Sequence, residues 1–132
     1  MNWSSGGSHM DIAIRKYQQK QIIDVNGELD LYNAFRLKEA VQEMVDAGAR
    51  MFILNMKGVS YVDSSGIGAL LFINRLLGED GRKLRIASIT PTVQRLMTIT
   101  RLAGFLPISR TVAEAIETID DVADGSEQQP AV

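Results

Sequence analysis

Asp63, Ser64 and Ser65 are the residues of this chain best placed to do chemistry. They follow the segment Val59–Val62 and open an apolar run, Gly66-Ile67-Gly68-Ala69-Leu70-Leu71, whose spacing predicts a helix from about Ser65 to Leu77. The first backbone N–H groups of a helix have no internal partner, and the aligned peptide dipoles make that end electropositive. A serine hydroxyl there can cap the helix. It can also carry a phosphoryl group, an anion that the unpaired N–H groups favour. Both readings apply to Ser64, with Ser65 the neighbouring hydroxyl that can take over the capping. Catalysis by a serine nucleophile meets an obstacle. The only histidine is His9, in the leader excluded below, and the chain has no cysteine, so Ser–His and Cys–His pairs and imidazole–thiolate zinc sites are closed. Carboxylates such as Asp30 and Asp63 remain as bases for an enzyme, and nothing in the sequence calls for a cofactor or a metal.

The elements that must position these residues are legible on either side. The chain has 132 residues, 45% hydrophobic and 23% charged, with a formal net charge of −2, values of one ordinary globular domain. The first ten residues, MNWSSGGSHM, resemble an expression-tag leader. The expected folded unit is residues 11–122, and residues 123–132, polar with Pro and Gly, form an expected flexible tail. Ile12–Ile14 and Ile22–Val25 predict a hairpin turning at Gln18-Gln19-Lys20. Ala34, Leu37, Val41 and Met44 repeat at helical spacing up to Gly48. Met51–Leu54 is a short apolar run expected in a strand covered on both faces. Gly78 and Gly81 bound the helix that follows Ser64, and Leu84–Ala87 predicts another strand. Thr90-Pro91 starts a helix running to about Thr100, and Thr111 with Glu114 forms a capping box for a last helix ending near Ile119. A hairpin followed by alternating helices and strands is an α/β mixed sheet, here of four to five strands and about four helices.

Two segments together carry a family resemblance. Asp63-Ser64-Ser65-Gly66-Ile67-Gly68 resembles the Asp-Ser-Ser/Thr-Gly-Leu-Gly signature of STAS domains, specifically the bacterial anti-sigma-factor antagonists, with Ile67 in place of Leu. Gly27-Glu28-Leu29-Asp30 resembles the same family's earlier Gly-Glu-Leu-Asp motif, which precedes its first helix. The likeness covers 11–122 in the order of elements. It implies a STAS-type sheet and a binding module switched by phosphorylation. Ser64 falls on the family's phosphoacceptor position. Asp30 falls on a position near the acceptor that takes part in partner recognition, although as a helix cap it has an equally ordinary role. Tyr32 is bulkier than the family's usual residue. The implied partners are an anti-sigma factor that is itself a Ser/Thr protein kinase and a metal-dependent phosphatase that reverses the modification, in the cytoplasm.

Around the acceptor, Asp63, Ser65 and Gly66 are expected to face the partner with Asp30. At 100° per residue, Gly66, Ile67, Leu70, Ile73 and Leu77 share one helix face and should meet the sheet, whereas Ser65, Gly68, Phe72, Arg75 and Glu79 lie opposite. A large apolar residue one turn beyond a glycine makes Gly68 and Phe72 candidates for a docking groove, against the plainer reading of Phe72 as a lone exposed aromatic. The acidic balance and the scattered cations Arg75, Arg82, Lys83 and Arg85 argue against direct nucleic-acid binding. No apolar stretch is long enough for a membrane span. The alternative reading is a regulatory or scaffold STAS protein of a transport system or sensory complex.

Overall fold

In a computed structural model the described residues are 9–121; residues 1–8 and 122–132, which hold most of the leader and all of the tail, lie outside them. The elements in chain order are β1 (Met10–Tyr17), β2 (Lys20–Leu29), α1 (Ala34–Asp46), β3 (Met51–Val62), α2 (Ser64–Glu79), β4 (Lys83–Ala87), α3 (Pro91–Ile99), β5 (Ile108–Ser109) and α4 (Val112–Thr118). Short 3-10 turns at Ala103–Phe105 and Ile119–Asp121 complete them. The sheet order is β1-β2-β3-β4-β5. β1 runs antiparallel to β2, and every other neighbouring pair is parallel.

The alternation of side chains along the strands divides the sheet into two unequal faces. Ile23, Val25, Phe52, Leu54, Leu84 and Ile86 point into the main core, where they meet Leu37 and Val41 of α1, Leu70 and Ile73 of α2, and Val93 and Met97 of α3. On the opposite face, among the described residues, α4 and the turn after it cover the sheet, through Ala115 and Ile119 on Ile22, Ile53 and Ala87. The unbroken apolar run Phe52-Ile53-Leu54 is thus explained: it is buried on both sides.

Local start signals hold where they were expected. The Thr90 hydroxyl accepts from the Val93 N–H with Pro91 in the first turn, and the Thr111 hydroxyl accepts from the Glu114 N–H at 3.0 Å. Glu114 reaches back to the Arg110 N–H at 2.9 Å, one residue further upstream than a regular capping box. The hairpin turns through Gln18, whose φ of 56° supplies the left-handed residue that a two-residue loop needs.

Four boundaries differ from expectation. β1 begins at Met10, which is 2% exposed, so the sheet takes in the last residue of the leader. β3 does not stop at Leu54 but runs on to Val62, because β2 continues beside it as far as Leu29↔Val62. α2 passes through Gly78 and ends at Glu79; the left-handed residue that turns the chain is Gly81, with φ of +71°. The sheet has five strands, within the four to five expected, and β5 is the one whose position the sequence did not mark. It has two residues, and Arg85 secures it by donating to Ser109 Oγ at 2.8 Å and to the Ile108 carbonyl at 3.0 Å.

Candidate functional site

The long pairing of β2 with β3 delivers both sequence motifs to one end of the sheet. Leu29 pairs with Val62, the Asp63 N–H donates to the Leu29 carbonyl at 3.3 Å, and the next residue of each strand leaves for its helix. Gly66 permits this closeness. A Cβ there would lie 2.2 Å from the Leu29 oxygen and 2.8 Å from Val62 Cγ1, so any side chain would push α2 off the exit of β2.

Asp63, not Ser64 or Ser65, caps α2. Its backbone is extended, and its Oδ1 accepts from the Gly66 N–H at 3.0 Å. Its Oδ2 accepts from the Leu31 N–H at 3.1 Å, in the loop after β2. One carboxylate therefore ties the two motifs together. Its capping duty also leaves Ser64 unneeded for that purpose. Ser64 is the first residue of α2 and exposed, and its hydroxyl has no hydrogen-bond partner among the described residues. Ser65 is half-buried.

Asp30 is 7% exposed. Its Oδ1 accepts from the Tyr32 N–H at 3.0 Å, closing an Asx turn, and its backbone oxygen accepts from Asn33 and Ala34. The N-cap of α1 is Asn33, so Asp30 shapes the loop rather than capping the helix. Gly27 adopts φ of +109°, and a Cβ there would meet the His9 oxygen at 2.2 Å; glycine is the residue that fits.

Of the residues expected to face a partner, Ser64, Gly68 and Phe72 are exposed, Asp63 and Ser65 half-buried, and Asp30 and Gly66 buried. Ser64, Gly68 and Phe72 lie four residues apart along one stripe of α2. Nothing lies within 4 Å of a Cβ built on Gly68, so no neighbour in this chain requires glycine there. Phe72 is 49% exposed, and Lys38 of α1 sets its ammonium 5.2 Å from the ring centroid. Of the rest of this surface the sequence singled out Tyr32 and missed Leu31 and Phe35. Leu31 (67% exposed), Tyr32 and Phe35 are all large and outward-facing, on the loop that Asp63 holds and the first turn of α1. The available signal was Phe35, which falls outside the Ala34-Leu37-Val41 stripe yet is apolar. Ser64 thus follows the residue that holds the loop bearing Leu31 and Tyr32, which with Phe35 form a collar of exposed apolar side chains at this end of the sheet. Large exposed apolar side chains grouped on one loop and the helical turn after it are candidates for an interaction site.

Comparison with known proteins agrees with this geometry. The profile of the STAS domain matches residues 11–115. The chain belongs to the STAS-domain family. Over 102 residues this STAS domain is 32% identical to the anti-sigma-B factor antagonist of Bacillus subtilis, a match spanning 76% of this chain and 93% of that protein. The crystal structure of an anti-sigma factor antagonist from Mycobacterium paratuberculosis superposes with a TM-score of 0.77 at 19% identity, covering 86% of this chain and 96% of that one. The phosphorylated form of the Bacillus cell fate determinant SpoIIAA superposes with a TM-score of 0.63 at 22% identity, covering 83% and 99%. The five-stranded mixed sheet with an N-terminal hairpin and four helices is therefore the STAS fold. Among the described residues no helix is long and apolar enough to cross a membrane.

Proposed function

We propose that this STAS domain is an anti-sigma-factor antagonist, a regulatory binding protein rather than an enzyme. Its unmodified Ser64 face binds an anti-sigma factor that is also a Ser/Thr protein kinase, and so frees a sigma factor for transcription. Phosphorylation of Ser64 dissolves the complex, and a metal-dependent phosphatase restores the binding form. The observation that carries this reading is an exposed, unpartnered hydroxyl at the first position of α2, on the same stripe as Gly68 and Phe72. The relatives' names and the fold shared with a phosphorylated neighbour support it.

The switch follows from charge. A phosphoserine carries about −1.5 to −2 charges at neutral pH. It would stand next to Asp63, whose carboxylate already occupies the Gly66 and Leu31 N–H groups. At about 6 Å and an effective dielectric near 20, each pair of like unit charges repels by roughly 3 kcal/mol, against roughly 0.3–1 kcal/mol returned by the exposed helix terminus. A partner presenting a carboxylate or an apolar surface to the collar is then expelled, since about 1.4 kcal/mol is a tenfold change in affinity.

The test mixes the protein with Ser/Thr-kinase anti-sigma factors from the same genome and ATP, maps the phosphate by mass spectrometry, and measures binding by calorimetry. Modification at Ser64, with Ser64→Asp binding at least tenfold more weakly than Ser64→Ala, is the expected result. Equal binding by the two variants, or phosphate confined to another residue, refutes the switch.

A further inference from the structure

Away from the acceptor, the outer edge of β1 is open. Among the described residues β1 is the terminal strand of the sheet and pairs only with β2. Long open edges invite pairing with another chain, and proteins blunt them with proline, a bulge, a very short strand or charged side chains. β1 runs for eight residues without proline and in unbroken register with β2; of these devices it has only charges, Asp11, Arg15 and Lys16, and they are of both signs. Ile14 on this edge is 51% exposed and Tyr17 is 49% exposed.

The direction of the free groups is fixed by the pairing. The Glu28 N–H donates to the His9 carbonyl at 2.9 Å, and β1 and β2 stay in one register from Met10↔Gly27 to Tyr17↔Lys20. The odd-numbered residues of β1 are therefore the hydrogen-bonded partners of β2, and the peptide groups of Met10, Ile12, Ile14 and Lys16 point outward. One of these is already capped, since Arg36 of α1 donates to the Met10 carbonyl at 2.9 Å. Those of Ile12, Ile14 and Lys16 remain.

We propose that the free edge of β1 pairs antiparallel with β1 of a second copy about a two-fold axis at Ala13, making one continuous sheet of the two domains. Two-fold symmetry restricts which registers exist, and the charges choose among them. With Ala13 opposite Ala13, Ile12 lies opposite Ile14 in both directions, supplying about four ladder hydrogen bonds from outward-facing groups. Asp11 then lies opposite Arg15 at the closer, non-hydrogen-bonded positions, on the same side of the sheet. The exposed Ile14 is covered by Ile12 of the other copy. Centring the axis on Ile14 places Arg15 against Ala13, and centring it on Arg15 stacks like charges. Arg15 is held in place by two hydrogen bonds to Asp24, at 2.6 and 2.9 Å; Asp11 is exposed, with Oδ2 2.9 Å from His9 Nε2, so the pair draws on the other carboxylate oxygen.

Sedimentation velocity of the 132-residue chain over a wide concentration range tests the proposal. The weight-average mass should rise toward that of a dimer. Ile14→Pro removes an outward N–H without taking a bond from β2, and should abolish the rise while leaving the circular dichroism spectrum intact. Because the chain has no cysteine, single-cysteine variants report the register without replacing any edge hydrogen bond. Ala13→Cys should form a disulfide-linked dimer under mild oxidation, since facing non-hydrogen-bonded residues lie within disulfide reach, and Tyr17→Cys should not. Monomer at every concentration, equal cross-linking by both cysteines, or a dimer untouched by Ile14→Pro overturns it. In the first case the edge belongs to a strand of another protein or to none.

Discussion

Gly66 and Gly68 sit two residues apart in one helix and are there for opposite reasons. Gly66 is enclosed by the Leu29 carbonyl and Val62, whereas Gly68 faces open space. A methyl group at 66 must displace backbone, and overpacking of this kind costs about 1–3 kcal/mol. A methyl group at 68 meets nothing and removes the conformational freedom that makes glycine costly inside a helix, a gain of about 0.5–1 kcal/mol. In urea unfolding, Gly66→Ala should therefore lower stability and Gly68→Ala should raise it. A destabilised Gly68→Ala would mean that the outer face of α2 is more crowded than it is here. Both glycines belong to the motif that carries the family resemblance, so the pattern alone does not separate the one that allows packing from the one that leaves space on the surface. The same limit applied to the cap. Asp63, Ser64 and Ser65 are all good capping residues, and what selects Asp63 is its extended backbone at the end of a strand, a property set by the pairing of β3 with β2.

Elements with local signals were legible and those held by their neighbours were not. The Thr90-Pro91 and Thr111 starts are written in a few residues, and the rhythm of α1 in its own apolar stripe. The second half of β3 mixes buried Val59 and Val62 with exposed Lys57, Ser60 and Tyr61 and reads as strand or loop; its strand conformation comes from the register with β2. Leu31 and Phe35 escaped for a related reason: periodicity identifies the face that is buried and is silent on large side chains left outside it, and Tyr32 stood out only through the family resemblance. Cross-strand contacts also set the acid response. Arg15 on β1 and Asn55 on β3 both hydrogen-bond Asp24 on β2, and the bond from Arg15, ahead of the smaller opposing effect of burial, holds the Asp24 carboxyl below its ordinary value of 3.8. The unfolded chain then binds this proton first, so the contribution is complete above about pH 4 and is lost as pH falls through the depressed folded value. Arg15 is more than half exposed on its side chain, which limits the effect to a few tenths of a kcal/mol up to about 1. Asp24→Asn should flatten the fall in stability between about pH 4 and pH 2, measured by thermal melts across that range. An unchanged slope would remove Asp24 from the acid response.

Among the described residues the sheet has one well-covered face and one thinly covered face. Three helices and most of the core lie on the first face; α4 and the turn after it shield the second, where Arg15, Asp24 and Asn55 lie side by side. Ser64 lies beyond the Leu29↔Val62 end of the strands, and Ala13 lies opposite Asp24, roughly 15–20 Å back along the sheet and two strands away. Self-association through β1 and modification at Ser64 should consequently be independent. Ser64→Asp should sediment like the unsubstituted chain at every concentration; a shift in the association constant would couple the two surfaces.

The Asp63 side chain grips both the tip of α2 and the loop that bears Leu31. A force applied to either one is transmitted to the other through a single rigid group, without any strand having to slip. Moving the loop outward would thereby strain the turn presenting Ser64, because the same carboxylate holds both.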